Sequence, residues 1–311
     1  MRFSGIISRF FSLVVGFIII VSSFDVSCQE LEPRAYSNAP IGLNFVLAGY
    51  AYSAGGILFD PSIPLKNAAI NINGPIFAYA RSLKFGKMSG KVDVILPYAW
   101  LSGSAEFDNQ VVSRDVNGFA DPKIRMSINF LGSPALSISE FRDYKQNLII
   151  GASLQVSLPM SQYDPERLVN IGTNRYTFKP ELGISKTFGS MYVELAAAAS
   201  FYTTNYDFYN GKTRSQKPIG SIQGHFIYNF GKGMWAAVDG TYYWGGGSTL
   251  DGVDGDDIQQ NTRAGFTLAY PLTKRQALKL NLSTGVSTRT GSDFDAIILM
   301  WQYRWGKGMP K

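Results

Sequence analysis

From residue 41 to residue 305, polar and apolar side chains alternate with a period of two over stretches longer than soluble strands usually run. Near the C-terminus Leu278, Leu280, Leu282, Thr284, Val286 and Thr288 fall on one face, against Lys279, Asn281, Ser283, Gly285, Ser287 and Arg289 on the other. Ala264, Phe266, Leu268 and Tyr270 oppose Arg263, Gly265, Thr267 and Ala269 in the same way, and Ile124, Met126, Ile128 and Phe130 oppose Lys123, Arg125, Ser127 and Asn129. Such a period is that of a strand with one apolar and one polar face. A soluble sandwich alternates similarly, so length and spacing must decide.

About twelve segments are expected, near 41–52, 67–81, 88–101, 119–131, 144–158, 173–187, 191–203, 217–230, 233–244, 259–271, 275–288 and 293–305. Many exceed ten residues; soluble strands usually have about five or six, while a tilted membrane-crossing strand needs roughly nine to eleven. Every apolar stretch after the first 30 residues is interrupted by Gly, Asn, Lys or Asp, too soon for a transmembrane helix. A closed barrel is the other structure that pairs all its backbone groups within a bilayer. The pattern therefore predicts an all-β chain, a closed antiparallel transmembrane β-barrel of about 12 strands over 41–305, in the cell outer membrane.

Connection lengths agree with short turns at one end and long loops at the other. Phe188-Gly189-Ser190 and Gly231-Lys232-Gly233 are tight, whereas Thr203 to Lys217 and Gly245 to Ile258 are long and polar. Gly132 to Asp143 and Arg289 to Ser292 break the rule, the first too long and the second too short. Aromatic residues gather at strand ends, as in Tyr98 with Trp100, Tyr242-Tyr243-Trp244, and Trp301 with Tyr303 and Trp305, where rings sit at the lipid-water boundaries. Hydrophobic residues make up 45% and charged residues 17%, below the roughly 25% charged of soluble domains. The basic residues are scattered, so no nucleic-acid footprint exists.

The N-terminus predicts export. Arg2 and Arg9 precede an apolar run from Phe10 to Val21, too short to span a bilayer, and a polar stretch to Gln29. Residues 1–28 are expected to be a signal peptide cleaved after Val26-Ser27-Cys28, 29–40 a short N-terminal segment and 306–311 a C-terminal tail. Lipidation of Cys28 is the alternative; its removal leaves no cysteine for thiolate chemistry.

The polar face is expected to line the lumen with Lys123, Arg125, Lys179, Glu181, Glu194, His225, Asp239, Arg263, Lys279, Arg289 and Arg304, together with Lys91, Asp93 and Asp121. Basic residues outnumber acidic ones there, which predicts a preference for anions if the lumen conducts. Whether these charges pair and block the lumen or line a water path stays open. His225, the lone histidine, reads as a polar lumen residue: Ser221, four residues away on its strand, is roughly 13 Å distant at ~3.3 Å per residue, and no catalytic residue is expected. Asp251, Asp254, Asp256 and Asp257 read as a solvated external loop, since their spacing does not follow the calcium-loop pattern, and Gly245-Gly246-Gly247 reads as a turn. Neither a metal nor a cofactor is expected.

Several stretches resemble the meta-pathway of phenol degradation family, a group of outer-membrane β-barrel, transporter-like proteins. They are Gly118-Phe119-Ala120-Asp121-Pro122, Leu158-Pro159 before Tyr163-Asp164, Asn170 through Pro180, Thr204-Asn205-Tyr206-Asp207, Tyr242 through Gly246, and Thr288 through Phe294. The resemblance implies a channel or facilitator for small organic solutes, aromatic ones among them, and brings no catalytic residues. The partners to expect are the lipid bilayer and lipopolysaccharide, small organic solutes, and the barrel assembly machinery during insertion. A barrel enzyme acting on lipid or peptide and a plugged structural barrel are the alternatives.

Overall fold

A computed structural model describes residues 32–58, 65–107, 110–306 and 308–309. The expected signal peptide and Cys28 lie outside the described residues. Seventeen strands are present among them: β1 (Leu43–Leu58), β2 (Leu65–Phe85), β3 (Met88–Phe107), β4 (Gln110–Phe119), β5 (Lys123–Pro134), β6 (Leu148–Ser157), β7 (Thr177–Phe188), β8 (Met191–Tyr202), β9 (Asn205–Phe208), β10 (Lys212–Gln216), β11 (Ile219–Gly231), β12 (Met234–Gly245), β13 (Ser248–Leu250), β14 (Val253–Asp254), β15 (Gln259–Pro271), β16 (Gln276–Ser287) and β17 (Gly291–Gly306). Twelve of them close a ring in the order β1, β2, β3, β5, β6, β7, β8, β11, β12, β15, β16, β17, which returns to β1 through antiparallel pairing from Leu43↔Gly306 to Leu58↔Gly291. Each expected segment overlaps one of these twelve strands, with ends that differ by several residues. Closure removes the unpaired edges that an open sheet would expose.

The long connections hold structure that alternation did not foretell. β4 pairs with the outer part of β3, from Tyr98↔Phe119 to Phe107↔Gln110, while the inner part of β3 pairs with β5. β9, β10, β13 and β14 form a separate four-stranded sheet at the long-loop end. The overlong turn after Gly132 contains one helical turn, Ile138–Phe141, whose Ser137 and Glu140 make a reciprocal capping box.

The burial pattern is that of a soluble protein turned inside out. On β11, Ile222, Phe226, Tyr228 and Phe230 are exposed, while Ser221, Gln223 and His225 are buried. Aromatic pairs mark two belts: Tyr98 with Trp100 and Tyr242 with Trp244 toward the long loops, Tyr228 with Phe230 and Trp301, Tyr303 and Trp305 toward the short turns. On β12 eight residues separate the level of Tyr228, opposite Ala236, from Trp244, which is about 27 Å along the strand at ~3.4 Å per residue. With the usual tilt that matches an apolar band about 25 Å tall.

Val238 lies between the belts and is 63% exposed; Phe230 lies at the short-turn edge. Val238→Arg should therefore lower folding stability in lipid vesicles by about 2–4 kcal/mol and Phe230→Arg by about 0–1 kcal/mol. Denaturant titration in vesicles checks this, and equal losses would contradict the assigned lipid face.

The wall has one conspicuous lapse. The β16–β17 ladder ends at Ser283↔Ala296, although both strands continue beyond it. Arg263 on β15 spans the break, donating from Nη2 to Ser283 Oγ at 3.2 Å and to the Phe294 carbonyl at 3.0 Å. A guanidinium thus stands in for a missing backbone donor. Behind it, Phe294 and Ala296 pack on Ile70 and Leu101, an apolar cluster inside the outer half of the barrel.

Candidate functional site

The lumen is built from the inward positions of the twelve strands and from residues 32–42, which fold into it. A turn over 33–36 is closed by Ala35 N to Glu32 O and Ser37 N to Arg34 O, with Arg34 at φ 69. It brings three side chains against the wall. Glu32 pairs with Arg125; Arg34 donates its backbone N–H to Glu194 Oε2 at 2.7 Å and lays its guanidinium over Tyr192 and Trp235; Tyr36 donates its hydroxyl to Glu181 Oε1 at 2.9 Å. Asn129 Nδ2 donates to the Tyr36 carbonyl at 3.0 Å, and Ser82 Oγ donates to the Pro40 carbonyl at 2.6 Å.

Tyr36 is 2% exposed because the wall has a recess for it. Gly151 and Gly183 are register partners on β6 and β7, and a Cβ on Gly183 would lie 2.0 Å from Tyr36 Cε2. Nothing larger than hydrogen fits there. Glu32 is similarly matched: burial would raise its carboxyl, but Arg125 and Lys91 outweigh burial and hold it well below the usual carboxylate range.

A second set of contacts crosses six adjacent strands. Ser185 on β7 donates to Glu194 on β8 at 2.8 Å, and Glu194 is the register partner of His225 on β11. His225 Nδ1 lies 2.7 Å from Asp239 Oδ1 on β12, Thr267 Oγ1 on β15 donates to Asp239 Oδ2 at 3.0 Å, and Asn281 Nδ2 on β16 donates to Thr267 at 2.9 Å. Buried polar groups this well paired stiffen a structure. Ser200, another serine that could approach His225, pairs with Ile219, six residues along the strand from the His225–Glu194 pair.

Among the other inward charges, Arg125 Nε donates to Asp93 Oδ2 at 3.0 Å, Lys91 Nζ lies 4.0 Å from Asp93, and Lys179 Nζ lies 3.4 Å from Glu181. The basic excess expected for this face is therefore largely met by carboxylates, one of them supplied by the N-terminal segment. Lys279 is half-buried with Nζ 6.0 Å from the Trp235 ring, and Lys123 is half-buried at the outer end of β5. Three residues assigned to the inward face have other places. Arg289 sits in the β16–β17 turn and donates to Asp256 Oδ1 at 2.7 Å; Arg304 is exposed and donates to the Lys274 carbonyl at 3.0 Å; Asp121 accepts from the backbone N–H groups of Ser161 and Thr173 and so anchors the loop 158–176. Each lies at or beyond a strand end, where alternation no longer fixes direction.

The acidic loop is also internally committed. Asp257 accepts from Ser248 N and Oγ, Asp254 from Thr249 Oγ1, and Asp251 from Thr213 N. The Thr249 hydroxyl and Lys217 hold Asp254 below its ordinary value. Gly245 and Gly246 adopt φ 92 and φ 80, the left-handed backbone a turn needs there.

Two cavities flank the N-terminal segment. One of about 20 Å³ lies among Glu32, Tyr36, Arg125, Glu181, Glu194 and His225, the other of about 60 Å³ among Ser37, Phe45, Lys91, Ser127 and Asn129. These volumes suit one or a few waters; a cavity that admits benzene is about 150 Å³.

Comparison with known proteins places this arrangement. The COG4313 outer membrane channel from Pseudomonas putida F1 superposes with a TM-score of 0.75 at 20% identity, over 89% of this chain and 100% of that one. The β domain of the Bordetella autotransporter BrkA gives 0.51 at 10% identity, over 85% of this chain and 100% of that one. No curated protein matches the sequence. The chain has the fold of outer-membrane barrels, and, with residues 59–300 matching its profile, it belongs to the family described as "Putative MetA-pathway of phenol degradation".

Proposed function

We propose that the protein is an outer-membrane channel for small organic solutes, aromatic ones among them, whose lumen is closed in the described state by its own N-terminal segment. The observation that carries this reading is the seating of residues 32–40 inside a polar lumen, with cavities of about 20 and 60 Å³ beside it. A solute the size of benzene cannot pass such spaces. The segment is held by hydrogen bonds, an ion pair and one buried ring, and it joins β1 through Gly42, at φ 76 with nothing near a Cβ. A glycine in open space is a suitable hinge. The family assignment and the likeness to a Pseudomonas putida channel support the same reading.

Vesicle swelling in isosmotic small organic solutes tests it. Vesicles carrying the intact chain should swell slowly and those carrying Tyr36→Ala faster, because truncation removes the ring wedged against Gly183. Absence of swelling with either would contradict a solute path and favour a structural barrel plugged by its own side chains.

A further inference from the structure

We infer that the long-loop end carries a binding site for the carboxylate of a small organic anion, with an aromatic acid as the best-fitting class, formed by Arg175 and Arg214. The inference rests on the channel reading above and names a substrate class for it.

Arg175 is 7% exposed, yet among the described residues no carboxylate pairs with it. Its Nη2 donates to Gln216 Oε1 and its guanidinium lies over the Tyr202 ring with 4.3 Å to the centroid, but Nε and Nη1 have no hydrogen-bond acceptor among the described residues. Burying a guanidinium without an anion is costly. Burial, together with the nearby positive charge of Arg214, pulls Arg175 down to about 10; only the phenols of Tyr202 and Tyr163 act in the other direction.

Arg214 supplies the second cation and the approach. It lies two residues before Gln216 on β10, hence on the same face of that strand. Its side chain is 32% exposed, stacks on Phe208 at 5.1 Å and reaches only to 3.9 Å from Asp257 Oδ2, because Asp257 already accepts from Ser248 N and Oγ at 2.7 and 2.6 Å. Among the described residues Asp257 is the one carboxylate that pairs with either guanidinium, and it is already committed to Ser248. A guanidinium fork suits a carboxylate, and Tyr163, Tyr202 and Phe208 place aromatic surface beside the two arginines.

The position is held firmly enough to recognise a ligand. Thr173 N donates to Asp121 Oδ2 at 3.1 Å, Asn174 Nδ2 to Asn205 Oδ1 at 3.1 Å, and Tyr176 N to Thr203 Oγ1 at 3.0 Å, so the residues on both sides of Arg175 are tied down. A solute carboxylate would meet the more exposed Arg214 first and compete there with Asp257.

Equilibrium binding of benzoate to the full chain in detergent, with benzyl alcohol as its uncharged counterpart and acetate and phosphate as ring-free anions, tests the site without requiring conduction. Benzoate should bind more tightly than the other three, and Arg175→Gln and Arg214→Gln should each weaken it about tenfold or more, the scale of a lost charge-assisted hydrogen bond, while leaving benzyl alcohol unchanged. Arg214→Gln, at the more exposed position, keeps the test decisive should Arg175→Gln fail to fold. Equal binding of benzoate and benzyl alcohol, or benzoate binding unchanged in Arg214→Gln, would overturn the site. Vesicle swelling without benzoate binding would overturn this site alone and leave the channel reading standing.

Discussion

Gly183→Val should release the N-terminal segment and open the lumen. A Cβ at Gly183 would fall 2.0 Å from Tyr36 Cε2 and 2.5 Å from Cζ, with Gly151 opposite leaving the ring nowhere to shift, since a Cβ there would be 2.6 Å from Cδ1. The outward neighbours Leu182 and Ile184 keep β7 in register through their own pairs, so the strand itself should hold. Overpacking costs about 1–3 kcal/mol, which at ~1.4 kcal/mol per tenfold shifts the ratio of docked to released segment about 5- to 150-fold. Single-channel recording should show the open fraction rising accordingly, and Gly183→Val combined with Tyr36→Gly should fold as stably as Tyr36→Gly alone. An unchanged open fraction in Gly183→Val would mean that the segment does not control the lumen.

Charge reversal at Glu32 should act more strongly. Glu32 faces Arg125, with Lys91 and Lys279 close enough to favour its ionised form. Glu32→Arg would place a fourth cation in that group and remove one of the carboxylates that pair with Arg125. Breaking a buried pair costs about 3–5 kcal/mol; with the Glu32 side chain 29% exposed, the low end of that range, about 3 kcal/mol, applies. The effect should be greatest at low salt and shrink at 1 M, where the Debye length is about 3 Å. Equal opening at both salt concentrations would point to lost packing rather than lost charge.

What could be read from the sequence follows from how far each signal reaches. Alternation is local, so Leu278 to Thr288 and Ile124 to Phe130 locate strands and separate lipid face from lumen face without any knowledge of neighbours. Strand register is not local. His225 and Asp239 both stand out on the polar face, but their hydrogen bond depends on the β11–β12 register. Parity also misleads where strands end, which is why Arg289, Arg304 and Asp121 point to loops and rims. The N-terminal segment was least legible. Glu32, Arg34 and Tyr36 alternate over too few residues to read as an element, and their partners come from β5, β7, β8 and β12, more than ninety residues away. The one available sign was a pair of glycines, Gly151 and Gly183, on the polar faces of neighbouring strands, and it becomes a recess only once the register is known. The small outer sheet was hidden for a related reason: β9, β13 and β14 have two to four residues each, too few to display a period.

On the proposed reading the lumen is a solute path shut by residues 32–40. Single-channel conductance of the intact chain against a chain lacking residues 29–40, both checked as closed barrels by heat-modifiable gel mobility, tests it most directly. The shortened barrel should hold a steady open level that the intact chain reaches only in brief openings. Identical conductance in the two, open or closed alike, would contradict it.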